Sequence, residues 1–175
     1  LKSMSVYKRI LKYSEPEKLG DKLTFKTIDL HTGGEPLRVI TGGYQEPQGS
    51  SVLEYRRFYQ DSHDHLRKLL MHEPRGHADM YGCILTPPND PSGDFGVVFM
   101  HNEGYSTMCG HAIIALATLA FEMGWVERDR KEPLKIDAPC GRIEAFIEKK
   151  GRRIHGVRFR GVPSFVIELD KSVVI

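Results

Sequence analysis

The stretch that decides the fold is Cys109-Gly110-His111-Ala112-Ile113-Ile114-Ala115-Leu116-Ala117-Thr118-Leu119-Ala120-Phe121-Glu122-Met123, with Gly124 directly after it. Good helix formers fill it, proline is missing from it, and Gly124 is suited to stop it. Its apolar residues do not keep to one side. A surface helix carries an apolar stripe, whereas a helix that is apolar almost all round has to be covered on every side. The rest of the chain must supply that cover.

Working outward, the flanking sequence breaks into short strand-like runs at 24–30, 36–40, 80–85, 96–101, 134–137, 142–148, 154–160 and 164–169. Turn signals separate them: Gly33-Gly34, Gly42-Gly43, the Pro87-Pro88-Asn89-Asp90 cluster running to Gly93, and Lys149-Lys150-Gly151, which reads as a hairpin tip. Short strands around one wholly apolar helix predict an α+β fold, a curled, mostly antiparallel and barrel-like β-sheet wrapped around a central buried helix. A second helical stretch at 51–71 carries Leu53, Phe58, Leu66, Leu69 and Leu70 between charged residues. It reads as an amphipathic surface helix packed on the sheet, beginning near the middle of the segment. Residues 1–23, with Ser14-Glu15-Pro16-Glu17-Lys18 at their centre, read as a peripheral tail.

Composition narrows the function classes. The 175 residues include 25 Lys+Arg and 23 Asp+Glu, for a formal net charge of +2, and 40% are hydrophobic against 27% charged. That is the composition of one ordinary globular domain, which excludes disorder for most of the chain. Charges of both signs are interspersed, so nucleic acid is not an expected partner. No apolar run approaches the ~18 residues of a membrane span, and the first residues lack the pattern of a signal peptide. Three cysteines, Cys83, Cys109 and Cys140, are too few and too widely spaced for a disulfide framework or a zinc site. A reducing, cytoplasmic setting is expected.

The start of the apolar helix carries the chemistry. A thiol at a helix N-terminus faces unpaired backbone N–H groups and the positive end of the dipole, which should draw Cys109 from its usual ~8.5 toward neutrality. His111 lies in the same first turn and is able to donate a hydrogen bond to a substrate oxygen. Gly110 lets the backbone approach a bound group, and the free N–H groups suit an anion. Taken singly, a buried Cys or His packs more often than it reacts. Together on one turn, after a Gly-containing loop, they point to function, either Cys/His hydrolysis or proton transfer at carbon.

Three segments then carry a resemblance. Ile28-Asp29-Leu30-His31-Thr32-Gly33-Gly34-Glu35-Pro36, Glu73-Pro74-Arg75-Gly76-His77-Ala78-Asp79-Met80-Tyr81-Gly82 and Met108-Cys109-Gly110-His111 together resemble the proline racemase family, in order over most of residues 24–170. The segment His101-Asn102-Glu103-Gly104-Tyr105-Ser106-Thr107 is most similar to the trans-3-hydroxy-L-proline dehydratases of that family. The resemblance implies a two-lobed fold of the diaminopimelate epimerase type, with residues 24–175 as the N-terminal lobe and the C-terminal lobe absent from the chain. It implies Cys109 as catalytic base, Gly110 and His111 as substrate-binding residues, a proline or hydroxyproline as small-molecule substrate, and neither metal nor organic cofactor; it also admits a homodimer.

The reaction implied is dehydration of trans-3-hydroxy-L-proline to a pyrroline-2-carboxylate. Proline racemisation or 4-hydroxyproline 2-epimerisation is the alternative within the class. Outside it stands a catalytically inactive lobe acting as a binding or regulatory half. The nearest match to the family's second catalytic motif, Ala138-Pro139-Cys140-Gly141, runs on into a strand pattern at 142–146, so Cys140 reads as a turn residue. Cys83, in the alternating Tyr81-Cys83-Leu85 face, reads as core. His31 either reaches the cleft or belongs to its glycine turn. Arg75, Gly76 and His77 are expected to brace the loop near Cys109, with pairing to Asp79 as the alternative.

Overall fold

The computed structural model describes residues 22–127, 129–151 and 153–172. Of the tail read at 1–23, only Lys22 and Leu23 fall among these, as exposed coil; the rest lies outside the described residues. Ten elements follow in order: β1 (Lys26–Thr32), β2 (Glu35–Gly42), α1 (Val52–Ser62), α2 (Asp64–Met71), β3 (Tyr81–Thr86), β4 (Phe95–His101), α3 (Gly110–Glu122), β5 (Leu134–Ala138), β6 (Gly141–Lys150) and β7 (Arg153–Arg160).

The strands form one seven-stranded sheet in sequence order. Adjacent pairs are antiparallel except β2–β3 and β4–β5, which are parallel. A parallel pair needs a crossover, and each has one: α1 and α2 between β2 and β3, and α3 between β4 and β5. The β3–β4 hairpin reverses strand direction between the two crossovers. Right-handed connections stepping the same way across a sheet from oppositely directed strands place their helices on opposite faces. Accordingly α1 and α2 cover one face with Ile40, Ile84, Val98 and Met100, while α3 covers the other with Val39, Cys83, Val97 and Phe99.

The curl follows from what α3 touches. It packs against β1 and β2 at one end of the strand order and against β6 and β7 at the other, so the sheet bends around it. Ala112, Ile113, Ala115, Leu116, Ala117, Leu119, Ala120 and Phe121 are all buried, as a helix without a polar side requires. After the helix, Gly124 takes φ 69, a left-handed geometry that costs a residue with a side chain about 1–2 kcal/mol.

Two expectations need correction. The amphipathic stretch is two helices broken at His63, and it begins at Val52 rather than near its middle. Ser51 caps α1 by accepting from the Glu54 N–H at 3.3 Å, and the Glu54 carboxylate accepts from the Ser50 N–H at 2.6 Å. The buried face of α1 is Val52, Tyr55 and Tyr59, with Leu53 turned outward. The run at 164–169 is not a strand: none of the described residues pairs with it, Pro163 interrupts the path from β7, and Phe165 and Ile167 are 81% and 89% exposed.

Candidate active site

The N-terminal end of α3 is built by four parts of the chain. Cys109 is the N-cap, in extended conformation with φ −149 and ψ 111, and its carbonyl accepts from the Ile113 N–H at 3.1 Å. From the β1–β2 turn, the Thr32 hydroxyl donates to the His111 carbonyl at 3.0 Å. From the β5–β6 turn, the Cys140 N–H donates to the Thr107 carbonyl at 3.2 Å. From β7, the Phe159 ring lies so close to Gly110 that a Cβ there would sit 3.1 Å from its Cζ. A side chain at this position would have to displace the ring slightly, a tightness the sequence did not reveal.

The sequence-derived residues Cys109, Gly110 and His111 share this end, and the Cys109 Sγ lies 3.3 Å from the His111 Nδ1. The electrostatics correct the expected thiol. Burial pushes Cys109 up, and the Glu35 carboxylate adds to this; the N–H groups of Ala112 and His111 and the hydroxyl of Tyr81 oppose it without overcoming it. The helix end therefore offsets part of a desolvation cost instead of producing a thiol shifted toward neutrality.

Tyr81 and Ser106 are the residues that sequence reasoning missed. The Tyr81 hydroxyl hydrogen-bonds the Ser106 hydroxyl, and its ring stands edge-on to His111 at 5.0 Å and stacked on His101 at 5.7 Å. Tyr81 begins β3 on the same inward face as Cys83, so the alternation that marked the face as core was the available signal. An open recess of about 410 Å³ adjoins the pair, lined by Asp79, Met80, Tyr81, His101, Asn102, Glu103 and Ser106.

The loop that delivers Ser106 and Cys109 is held from the outer helices. Arg67 on α2, only 3% exposed, donates to the His101 carbonyl at 2.7 Å and to the Asp64 carboxylate at 2.6 Å. Arg56 on α1 donates to the Tyr105 carbonyl at 2.6 Å. Asn102 donates to the Met71 and His77 carbonyls at 2.8 and 3.0 Å, and Arg38 donates to the Arg75 carbonyl. The segment around Arg75, Gly76 and His77 does brace the loop, but through its backbone. Gly76 is packed so tightly that a Cβ would meet the Met71 carbonyl at 2.1 Å.

The remaining candidates fall elsewhere. His31 is exposed, and its Nδ1 accepts from the Gly34 N–H at 3.2 Å, which is the turn reading. Cys140 occupies the β5–β6 turn, and Cys83 is fully buried in the core around α3. No helix among the described residues is long and apolar enough to cross a membrane.

The sequence profile described as proline racemase matches residues 27–175. The chain belongs to the proline racemase family. It is 50% identical over 151 residues to a trans-3-hydroxy-L-proline dehydratase of Azospirillum brasilense, covering 86% of this chain and 45% of that protein. It is 49% identical to a 3-hydroxyproline 2-epimerase of Burkholderia multivorans, with the same coverage of 86% and 45%. A crystal structure of a hydroxyproline epimerase from Agrobacterium vitis with bound trans-4-hydroxy-L-proline superposes with a TM-score of 0.80 at 25% identity, over 89% of this chain and 46% of that one. The chain thus spans about half the length of the proline racemase relatives it matches, and the curled sheet around α3 is the fold of that half.

Proposed function

We propose that this lobe supplies the Cys109 base of a cofactor-independent dehydratase acting on trans-3-hydroxy-L-proline. The observation that carries the reading is a thiol capping the buried helix, 3.3 Å from an imidazole nitrogen. Support for the substrate comes from the dehydratase relatives at 50% identity. Cys109 as thiolate takes the α-proton, leaving the electron pair at C2 conjugated with the carboxylate. That pair then forms the C2–C3 double bond as the C3–O bond breaks, and the hydroxyl leaves with a proton as water to give a pyrroline-2-carboxylate. Gly110 and His111 present N–H donors at the helix end, where the substrate carboxylate is favoured over a neutral group. In a dry site such preorganised donors stabilise the charge that develops on that carboxylate as the proton leaves.

The test is replacement of Cys109 by Ser in the complete enzyme with trans-3-hydroxy-L-proline as substrate. Pyrroline carboxylate formation should be abolished; full turnover would overturn the role of Cys109. The 3-hydroxyproline 2-epimerase relative at 49% identity favours one second reading, inversion at C2 with the hydroxyl retained. A D-configured hydroxyproline as the sole product would establish it.

A further inference from the structure

We propose that Ser106 and His101 form the subsite for the ring hydroxyl of the substrate, with Tyr81 as the positioning residue that orients the Ser106 hydroxyl. The inference rests on a hydroxyproline being the substrate, and it assigns the part of that molecule that each wall receives. Tyr81, Ser106 and His101 line one open recess, and the exposed Asp79 and Glu103 line it with them. Side chains in contact tie the recess to the thiol. The Tyr81 and His111 rings meet edge-on with their centres 5.0 Å apart, and the His111 Nδ1 lies 3.3 Å from the Cys109 Sγ. Ser106 also stands three residues ahead of Cys109 in the loop held by Arg56 and Arg67.

The Tyr81 and Ser106 hydroxyls share one hydrogen bond, which uses one of their two protons and leaves the other for a ligand oxygen. The His101 Nδ1 accepts from the Glu103 N–H at 3.2 Å, so the proton of the neutral ring sits on Nε2 and makes that nitrogen a donor. Stacking on Tyr81 at 5.7 Å keeps the imidazole at the same wall. Charge sets the direction in which a hydroxyproline enters. Asp79 and Glu103 repel a carboxylate from the recess, whereas the N–H groups at the start of α3 attract one. With the carboxylate at the helix, the ring is left for the recess, and a C3 hydroxyl stands one carbon from the C2 that loses its proton. A site built to hydrogen-bond a substrate hydroxyl disfavours the analogue without it, because its own polar groups then go unpaired.

The experiment is calorimetric titration of the complete enzyme, carrying Cys109→Ser so that the ligand stays unreacted, with trans-3-hydroxy-L-proline and with L-proline as reference. The readout is the ratio of the two affinities, which general damage to the site lowers for both ligands alike. The hydroxylated ligand should be preferred by about a hundredfold, and Ser106→Ala or His101→Phe should each lower that preference about tenfold, the worth of one hydrogen bond. Ser106→Thr, which keeps a hydroxyl, should retain the preference, and Tyr81→Phe should reduce it by less than Ser106→Ala. Equal affinity for the two ligands before any further substitution would overturn the proposal. So would a ratio that Ser106→Ala leaves unchanged with the circular dichroism spectrum intact; should that variant fail to fold, an unchanged ratio in His101→Phe does so instead. The affinities are read without turnover, so this outcome and that of the Cys109→Ser turnover assay are independent.

Discussion

Gly110 carries two demands at once. It opens α3 and it faces the Phe159 ring, so Gly110→Ala gains helix propensity of about 1 kcal/mol and loses about 1–3 kcal/mol to overpacking. We expect a net loss of stability in denaturant melts, turning neutral or favourable in a Phe159→Leu background. A loss that persists in that background would mean that the ring is not the obstacle. Cys109 is legible in the sequence because a cysteine on the first turn of an apolar helix is an unusual choice for packing. Its proton affinity is not legible, since that depends on burial in the assembled core and on Glu35, far from it in the chain. Tyr81 went unread for the same reason: inward alternation marks a side chain as facing the core, and only the position of β3 beside the helix end makes its hydroxyl part of the site.

Among the elements, α1 and α2 read in sequence as packing helices without a role, and the partly buried Arg56 and the buried Arg67 give them one. Arg67 holds the His101 and Asn102 carbonyls and sits over the Tyr105 ring at 5.7 Å. Arg67→Met would take the Arg67 guanidinium away from the His101 and Asn102 carbonyls and from Asp64, which keeps Lys68 at 3.3 Å, at a cost of about 2–4 kcal/mol in equilibrium unfolding. A change below the error of the melt would show that the loop is held elsewhere. The strands and α3 were read at or within a few residues of their observed limits, because alternation and a wholly apolar helix are local patterns. The break at His63 and the missing strand at 164–169 were not, because one depends on two short helices choosing different buried faces and the other on whether a neighbouring strand exists.

For the whole molecule, the pH dependence of stability follows from buried protons. Cys83 and Cys109, both buried, and the partly buried Cys140 all have their thiols pushed up by desolvation. Tyr59 is pushed up to about 12, and Tyr44, Tyr81 and Tyr105 move the same way. The unfolded chain releases these protons at ordinary values and the folded chain retains them, so the folded state binds more protons and stability falls as pH rises. The decline starts near the ordinary thiol range of about 8.5, and each fully retained thiol proton adds about 1.4 kcal/mol per pH unit until its folded pKa is reached. Above about 10 the tyrosines steepen it. Urea melts at stepped alkaline pH check this, and Cys83→Val should flatten the first part of the curve; a stability that rises with pH would contradict the assignment.

The hydrogen bond from Thr32 to the His111 carbonyl spans 79 positions of sequence, and Phe159 reaches Gly110 from the other side. Its consequence concerns the order in which the chain assembles. The β6–β7 hairpin closes through a local turn, whereas α3 is covered on all its packed sides only once β1 and β7 have both arrived, and long closures come late. Pulse-labelled hydrogen exchange during refolding should therefore find the β6–β7 amides protected before those of α3. The reactive end of the molecule is then among the last parts to form, and until it does the most apolar helix among the described residues stands open to aggregation.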